Sequence, residues 1–203
     1  MRRLILCFVA LLALSACNGD STWAPDEAVQ TARYVDDGPP ALTLYTVINN
    51  RSGGGAHAGL LVNGSQRVMF DPAGSWTLPR LAERNDVHFG MTDKMVNFYI
   101  DYHARVTYRV VEQTIVVSPE IAELVLRRVQ EYGAVPKSQC TKATSAILRQ
   151  IPGFESLPQT WYPKVLMDAF EKLPGVTTRV IRDEDADNNH GILLVQATAH
   201  AQE

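Results

Sequence analysis

Between residues 41 and 71 the chain sets out three short strand-like segments joined by tight turns, and this limits the possible folds more than any other feature. Ala41-Leu-Thr-Leu-Tyr-Thr-Val-Ile48 is rich in β-branched and aromatic residues and predicts a strand. A flexible turn follows, from Asn49 to the run Gly53-Gly54-Gly55. Ala56 to Val62 predicts a second strand, Asn63-Gly64 a hairpin turn, and Gln66 to Asp71 a third strand. Connections this short join antiparallel neighbours. The region is therefore expected to form an antiparallel meander, ended by Pro72-Ala73-Gly74-Ser75.

The pattern changes after the meander. Residues 76–90 are mixed and predict irregular structure. Thr92 to Tyr102 predicts a helix with Met95, Phe98, Tyr99 and Tyr102 on one face, and Val106 to Val117 a long strand. The clearest helix follows, with Ser118 as N-cap, Pro119 at its first position, acids in the first turn, Arg127-Arg128 near its end and Gly133 as its stop. Pro136 to Cys140 leads into a helix ending near Gln150, and Pro163 to Leu173 predicts another. Val176 to Ile181 reads as a strand, Asp183 to Asn189 as an acidic loop and Gly191 to Gln196 as a last apolar strand. Strands, a helical middle and further strands indicate an α+β fold.

The first seventeen residues decide what each cysteine means. Met1-Arg2-Arg3 is basic, Leu4 to Leu14 is apolar, and small residues close the segment before Cys17. That order is a secretory signal, too short for a stable membrane span. Its ending, Leu14-Ser15-Ala16-Cys17, resembles a bacterial lipobox, at which cleavage precedes a cysteine that is then lipidated. The alternative is an ordinary signal cut near Ala16 with Cys17 left as a thiol. The lipobox reading divides the chain into a signal (1–16), a lipidated cysteine with a flexible tether (17–40) and one domain (41–203), with one short helix near Asp26 to Tyr34. A lipidated Cys17 implies a cell-envelope protein tethered to a membrane surface. Asn18 follows it, where an aspartate would resemble an inner-membrane retention signal, so the outer membrane is slightly favoured.

Of three cysteines, Cys7 goes with the signal and Cys17 with the lipid, which leaves Cys140 as the one thiol in an oxidising compartment. Removing residues 1–16 takes away two arginines and no acid. The remainder holds 17 basic and 22 acidic residues, a net charge of −5, which argues against nucleic acid as a partner. Beyond the signal no apolar run approaches the roughly 20 residues that span a bilayer.

Cys140 falls in the predicted first turn of a helix, near Ser138 and Gln139. Unpaired N–H groups there favour a thiolate and can hold an oxyanion. A buried cysteine acting as a small hydrophobe is the competing reading. A nucleophile needs a base, and the histidines are His57, His88, His103, His190 and His200. His200 lies in the tail, His190 beside the acidic loop, and His88 and His103 in segments of weak pattern. His57 stands in an apolar strand among Ala56, Ala58 and Gly59, with space beside its ring.

A strand reading His-Ala-Gly-Leu-Leu-Val, a hairpin, and a strand ending in a polar residue resemble the histidine half of the NlpC/P60 papain-like superfamily. Because His57 precedes Cys140, the resemblance is to the circularly permuted branch, which includes lecithin:retinol acyltransferase-like enzymes and bacterial YiiX/YaeF-like proteins. It covers about Thr43 to Asp71 and Lys137 to Ile147. It implies a papain-like antiparallel sheet packed against the cysteine helix, Cys140 as nucleophile, His57 as general base and Asp71 as the group orienting the imidazole. Family members that place a histidine at the third position differ here, and Asp71-Pro72 is also an ordinary turn start. The activity implied is that of an envelope-anchored cysteine hydrolase or acyltransferase on an amide or ester, in cell-wall peptide or lipid. No cofactor or metal is called for. The alternative is a non-catalytic envelope lipoprotein that binds a partner or shapes an assembly.

Two motifs carry less. Asp183-x-Asp185-x-Asp187 imitates a calcium loop but lacks its glycine and closing glutamate, so it reads as a solvated loop. Trp161-Tyr162-Pro163 reads equally as a groove wall or a helix start.

Overall fold

The computed structural model describes residue 19 and residues 21–202. Cys17 and the signal segment lie outside the described residues. The fold is α+β: seven strands form one antiparallel sheet and, among the described residues, six helices surround it. The strands are β1 (Ala41–Asn49), β2 (Gly55–Asn63), β3 (Arg67–Phe70), β4 (Glu83–Arg84), β5 (Val87–Phe89), β6 (Tyr108–Val116) and β7 (Thr177–Ile181), in spatial order β4-β5-β3-β2-β1-β6-β7. The helices are α1 (Asp26–Thr31), α2 (Asp93–His103), α3 (Pro119–Glu131), α4 (Cys140–Leu148), α5 (Pro163–Phe170) and α6 (Asn189–Ala201).

Successive side chains of a strand point to opposite faces, and the continuously buried runs of β1, β2 and β3 give the sheet two apolar faces. On one, Leu42, Leu44, Leu60, Val62, Val68 and Phe70 pack against Val125 and Val129 of α3, Ala143 and Ile147 of α4, and Leu166 and Phe170 of α5. On the other, Tyr45, Leu61, Met69 and Val110 meet Met95, Tyr99 and Ile100 of α2, with Ile192, Leu193 and Ala197 of α6 beside them. The meander is therefore the middle layer of three. His57, Gly59 and Met69 share the parity of the α2 face, while Ala58 and Leu60 face the helix that carries Cys140.

Local chemistry sets the helix ends as expected. Ser118 accepts a hydrogen bond from the Ile121 amide, Pro119 opens α3, and Gly133 takes φ +88° just after it. Thr92 caps α2 through the Met95 amide.

Three expectations are corrected. Residues 191–196 form the first half of α6 and not a strand. Asn188 caps it by accepting from the Gly191 amide, and Gln196 is buried, bonded to Trp76 Nε1, the Phe98 carbonyl and Asp101. A short apolar run is ambiguous by period alone, and the helix continues through Ala197-Thr-Ala-His-Ala201. Residues 83–84 and 87–89 are strands that extend the sheet beyond β3. Finally, residues 22–36 are docked on the domain, not a free tether. Ala24 and Asn85 exchange backbone bonds with Glu83 and Thr22, and Ala28, Val29 and Ala32 pack on the core. The Tyr34 carbonyl accepts from the Arg67 amide.

Candidate active site

The site is assembled where β2 outlasts its neighbour. β3 pairs with β2 over Leu60–Asn63 only, so the earlier half of β2 has a bare edge. A β-bulge lies there as well: Val47 pairs with His57 and Ile48 with Gly55, leaving Ala56 extra. Such a bulge twists the strand and re-aims the side chain beside it, here that of His57.

His57 Nε2 donates to Asp71 Oδ1 at 2.5 Å. Asp71 is 1% exposed and immediately follows β3, so the end of the strand delivers a carboxylate beside the bare half of β2. Tyr99 of α2 donates its hydroxyl to the same oxygen at 2.8 Å. Two glycines make this approach possible. A Cβ on Gly59 would strike the Tyr99 hydroxyl, and one on Gly74 would overlap the Asp71 carboxylate.

The Cys140 sulfur sits at the first residue of α4, 7% exposed and within hydrogen-bonding reach of the His57 ring. With Nε2 committed to Asp71, Nδ1 is the nitrogen left for the thiol. The Ala58 backbone also lowers the thiol's pKa, which sets the sulfur beside the free edge of β2. Ser138 adopts a left-handed conformation, φ +67°, and turns the chain into the helix. The first amides of a helix lack intrahelical acceptors, so the Cys140 N–H is free to bind an oxyanion.

Electrostatics favours an ion pair. Burial penalises the His57 imidazolium, but the Asp71 carboxylate and Cys140 sulfur outweigh it and raise its pKa to about 10. Burial likewise opposes ionisation of Asp71, and His57 overcomes this and lowers it to about 2. For Cys140, burial pushes the thiol up, while hydrogen bonds from His57, Thr141 and the Ala58 amide bring it below its ordinary value. Each shift moves the trio toward thiolate, imidazolium and carboxylate.

Residues of weak sequence pattern complete the site. His103 ends α2, one turn after Tyr99, and its ring lies parallel to that of His57 with centroids 5.5 Å apart. Its Nδ1 donates to the Tyr99 carbonyl at 2.8 Å, and burial, reinforced by the His57 charge, lowers its pKa to about 4. His103 is thus neutral, with Nε2 as its acceptor. A cleft of about 410 Å³ opens over these rings, lined by His57, His103, Gly74, Ser75, Tyr102 and Asn189 among others.

His57, Asp71 and His103 also offer ligand atoms within 4.8 Å of one another, a two-histidine, one-carboxylate set. Ligands bound at about 2.0–2.2 Å around one tetrahedral ion stand more than about 3 Å apart. The 2.5 Å His57–Asp71 contact has room for a proton, and a metal at that position would require the pair to open.

The structure thus brings together the three residues expected from the sequence: Cys140, His57 and Asp71. His88 is buried in β5 against Trp76, and His190 is exposed at the start of α6. Tyr99, His103, Gly59 and Gly74 were not expected as site residues. The i, i+4 spacing of Tyr99 and His103 on a helix with an apolar face was the available signal. Trp161 and Tyr162 are exposed ahead of Pro163, which opens α5, while Leu166 and Phe170 are buried. Asp185 and Asp187 bond Arg105 and Thr107. Comparison of the chain with protein-family models, curated proteins and solved structures returns no match.

Proposed function

We propose that this protein is a cysteine hydrolase or acyltransferase with a permuted papain-like arrangement, held at the cell envelope through Cys17. The observation that carries the reading is the single chain of contacts from Asp71 through His57 to a Cys140 sulfur at a helix N-terminus. In this reading the Cys140 thiolate attacks the carbonyl carbon of an amide or ester. The C–S bond forms as the carbonyl π electrons move to oxygen, where the Cys140 amide stabilises the charge. The tetrahedral intermediate collapses, and the imidazolium of His57 passes its proton to the departing amine or alcohol. His57, now neutral, takes a proton from water or from an acceptor hydroxyl or amine that attacks the thioester, and Cys140 is released. Asp71 holds the ring in orientation and stabilises its charged form. Cell-wall peptides and lipids are the substrates within reach of a tethered domain.

Activity-based labelling tests this. Cys140 is expected to react with iodoacetamide at neutral pH far faster than free cysteine, with no labelling in Cys140→Ala and the excess rate lost in His57→Ala. Active protein would then be screened on cell-wall fragments and phospholipids. A thiol that reacts no faster than free cysteine would support the competing reading, a binding lipoprotein in which the low exposure of Cys140 reflects a structural role.

A further inference from the structure

Asp86 is joined to both halves of the candidate site without belonging to either. It occupies the two-residue turn between β4 and β5, where Asn85 and Asp86 both have positive φ, +46° and +66°. Side chains rarely tolerate that backbone, although Asn and Asp do so best. The turn directs three acceptors of Asp86 at three different amides. Its carbonyl oxygen accepts from the Asp71 amide at 2.8 Å. Its Oδ1 accepts from Ala73 at 3.3 Å, in the turn that wraps the Asp71 carboxylate. Its Oδ2 accepts from Val135 at 2.7 Å, in the loop that runs from α3 to Cys140.

These contacts define a mechanical link. Val135 is buried and lies five residues before Cys140, and the remainder of that loop is short: Gln139 turns back to the Pro136 carbonyl at 3.2 Å before α4 begins. Asp71 and Cys140 approach His57 from different parts of the chain, and their separation depends on how the 71–74 turn sits against the 134–139 loop. Asp86 bonds to both.

We propose that Asp86 is a positioning residue, a single carboxylate clamp that fixes the loop carrying Cys140 to the turn carrying Asp71. Burial, with the nearby Asp71 and Glu83 carboxylates, opposes its charge and raises its pKa to about 6, while the Val135 and Ala73 amides favour the charged form. A surface acid serving only as a turn former would not be held against such opposition. The role at Cys140 rests on the hydrolase reading; the clamp itself does not.

Two variants separate these. Asp86→Ala removes both side-chain acceptors. Asp86→Asn keeps one oxygen but turns an NH₂ donor toward the second amide, so it can hold only one loop. Hydrogen exchange in the full chain, well below each variant's unfolding midpoint, is expected to speed up by more than about tenfold in peptides 71–75 and 133–140 of Asp86→Ala, because bonds to a charged acceptor are worth at least that factor. Asp86→Asn should fall between, and β1 and β2 should be unchanged. The alkylation midpoint of Cys140 should move upward in the same order. Unchanged exchange at both loops overturns the clamp whatever the thiol does. Faster exchange with an unmoved midpoint overturns the positioning role. A wild-type thiol of ordinary reactivity defeats the hydrolase reading, and the exchange pattern still decides the clamp. If Asp86→Ala does not fold, the Asn variant alone carries the comparison.

Discussion

At the scale of single residues, the thiol and the imidazole are shifted in opposite directions, each by the other's charge among other causes. The Cys140 thiol is lowered from an ordinary value of 9.0, and His57 is raised from 6.5 to about 10. The thiolate–imidazolium pair therefore exists from the depressed thiol pKa up to about 10. Alkylation is expected to rise on an acid limb below pH 9, and in the hydrolase reading turnover should fall again as His57 loses its proton near 10. In His57→Ala the alkylation limb should move back toward 9, and an unmoved limb would contradict the ion pair. The same pair contributes to stability within limits. The His57 contribution is full below 6.5 and is lost as pH rises through about 10. The Asp71 contribution is present above 3.8 and is lost as pH falls through about 2. His103 acts oppositely, because a buried neutral ring costs stability as pH falls from 6.5 toward about 4.

At the scale of elements, the site depends on β2 and α2 coming unusually close. Gly59 is the residue that permits it, since a Cβ there would collide with the Tyr99 hydroxyl that steadies Asp71. Gly59→Ala is expected to force the α2 end outward, at a cost of about 1–3 kcal/mol typical of overpacking, and to slow Cys140 alkylation. Pairing it with Tyr99→Phe should recover part of the stability, since the clash goes but so does the bond to Asp71, and should not recover the alkylation rate, measured by thermal unfolding and iodoacetamide kinetics. Failure to recover stability would mean that the strain lies elsewhere. This contact also shows why the site was only half legible. His57, Asp71 and Cys140 stand near strand and helix ends that β-rich runs and turn signals mark, so their positions could be read along the chain, and only the resemblance implied that they meet. Tyr99 reads as one more apolar-face residue of a helix, and only the packing of α2 across the sheet gives its hydroxyl a partner. Gly191 to Gln196 failed for a related reason: Ile192, Leu193 and Ala197 face α2, but Leu194 and Val195 remain exposed, which breaks the expected amphipathic pattern.

At the scale of the whole molecule, residues 22–36 are part of the folded domain, and Arg67 is what ties them down. Arg67 is 7% exposed on β3, where a central cation would otherwise be out of place. Its guanidinium donates to Asp36 at 2.8 Å, to Asp93 at the start of α2 at 2.6 Å and to the Met91 carbonyl, and it lies 4.9 Å from the Tyr34 ring centroid. One side chain thus joins the 34–36 segment, the sheet and α2. Asp93 is 81% exposed and is resolvated easily, so its share is small. Asp36 and the Met91 carbonyl are better shielded and account for most of the loss when the guanidinium is removed. Arg67→Ala is expected to cost about 2–3 kcal/mol, and at about 2–4 °C per kcal/mol for a domain of this size the melting temperature should fall by about 4–12 °C. Limited proteolysis should then open residues 33–38 before any cut in the sheet. Arg67→Lys keeps the charge but not the planar fork, and so should release the segment nearly as well. If residues 33–38 stay protected in Arg67→Ala, the segment is held by the apolar contacts of α1 instead, and the guanidinium is incidental to its docking.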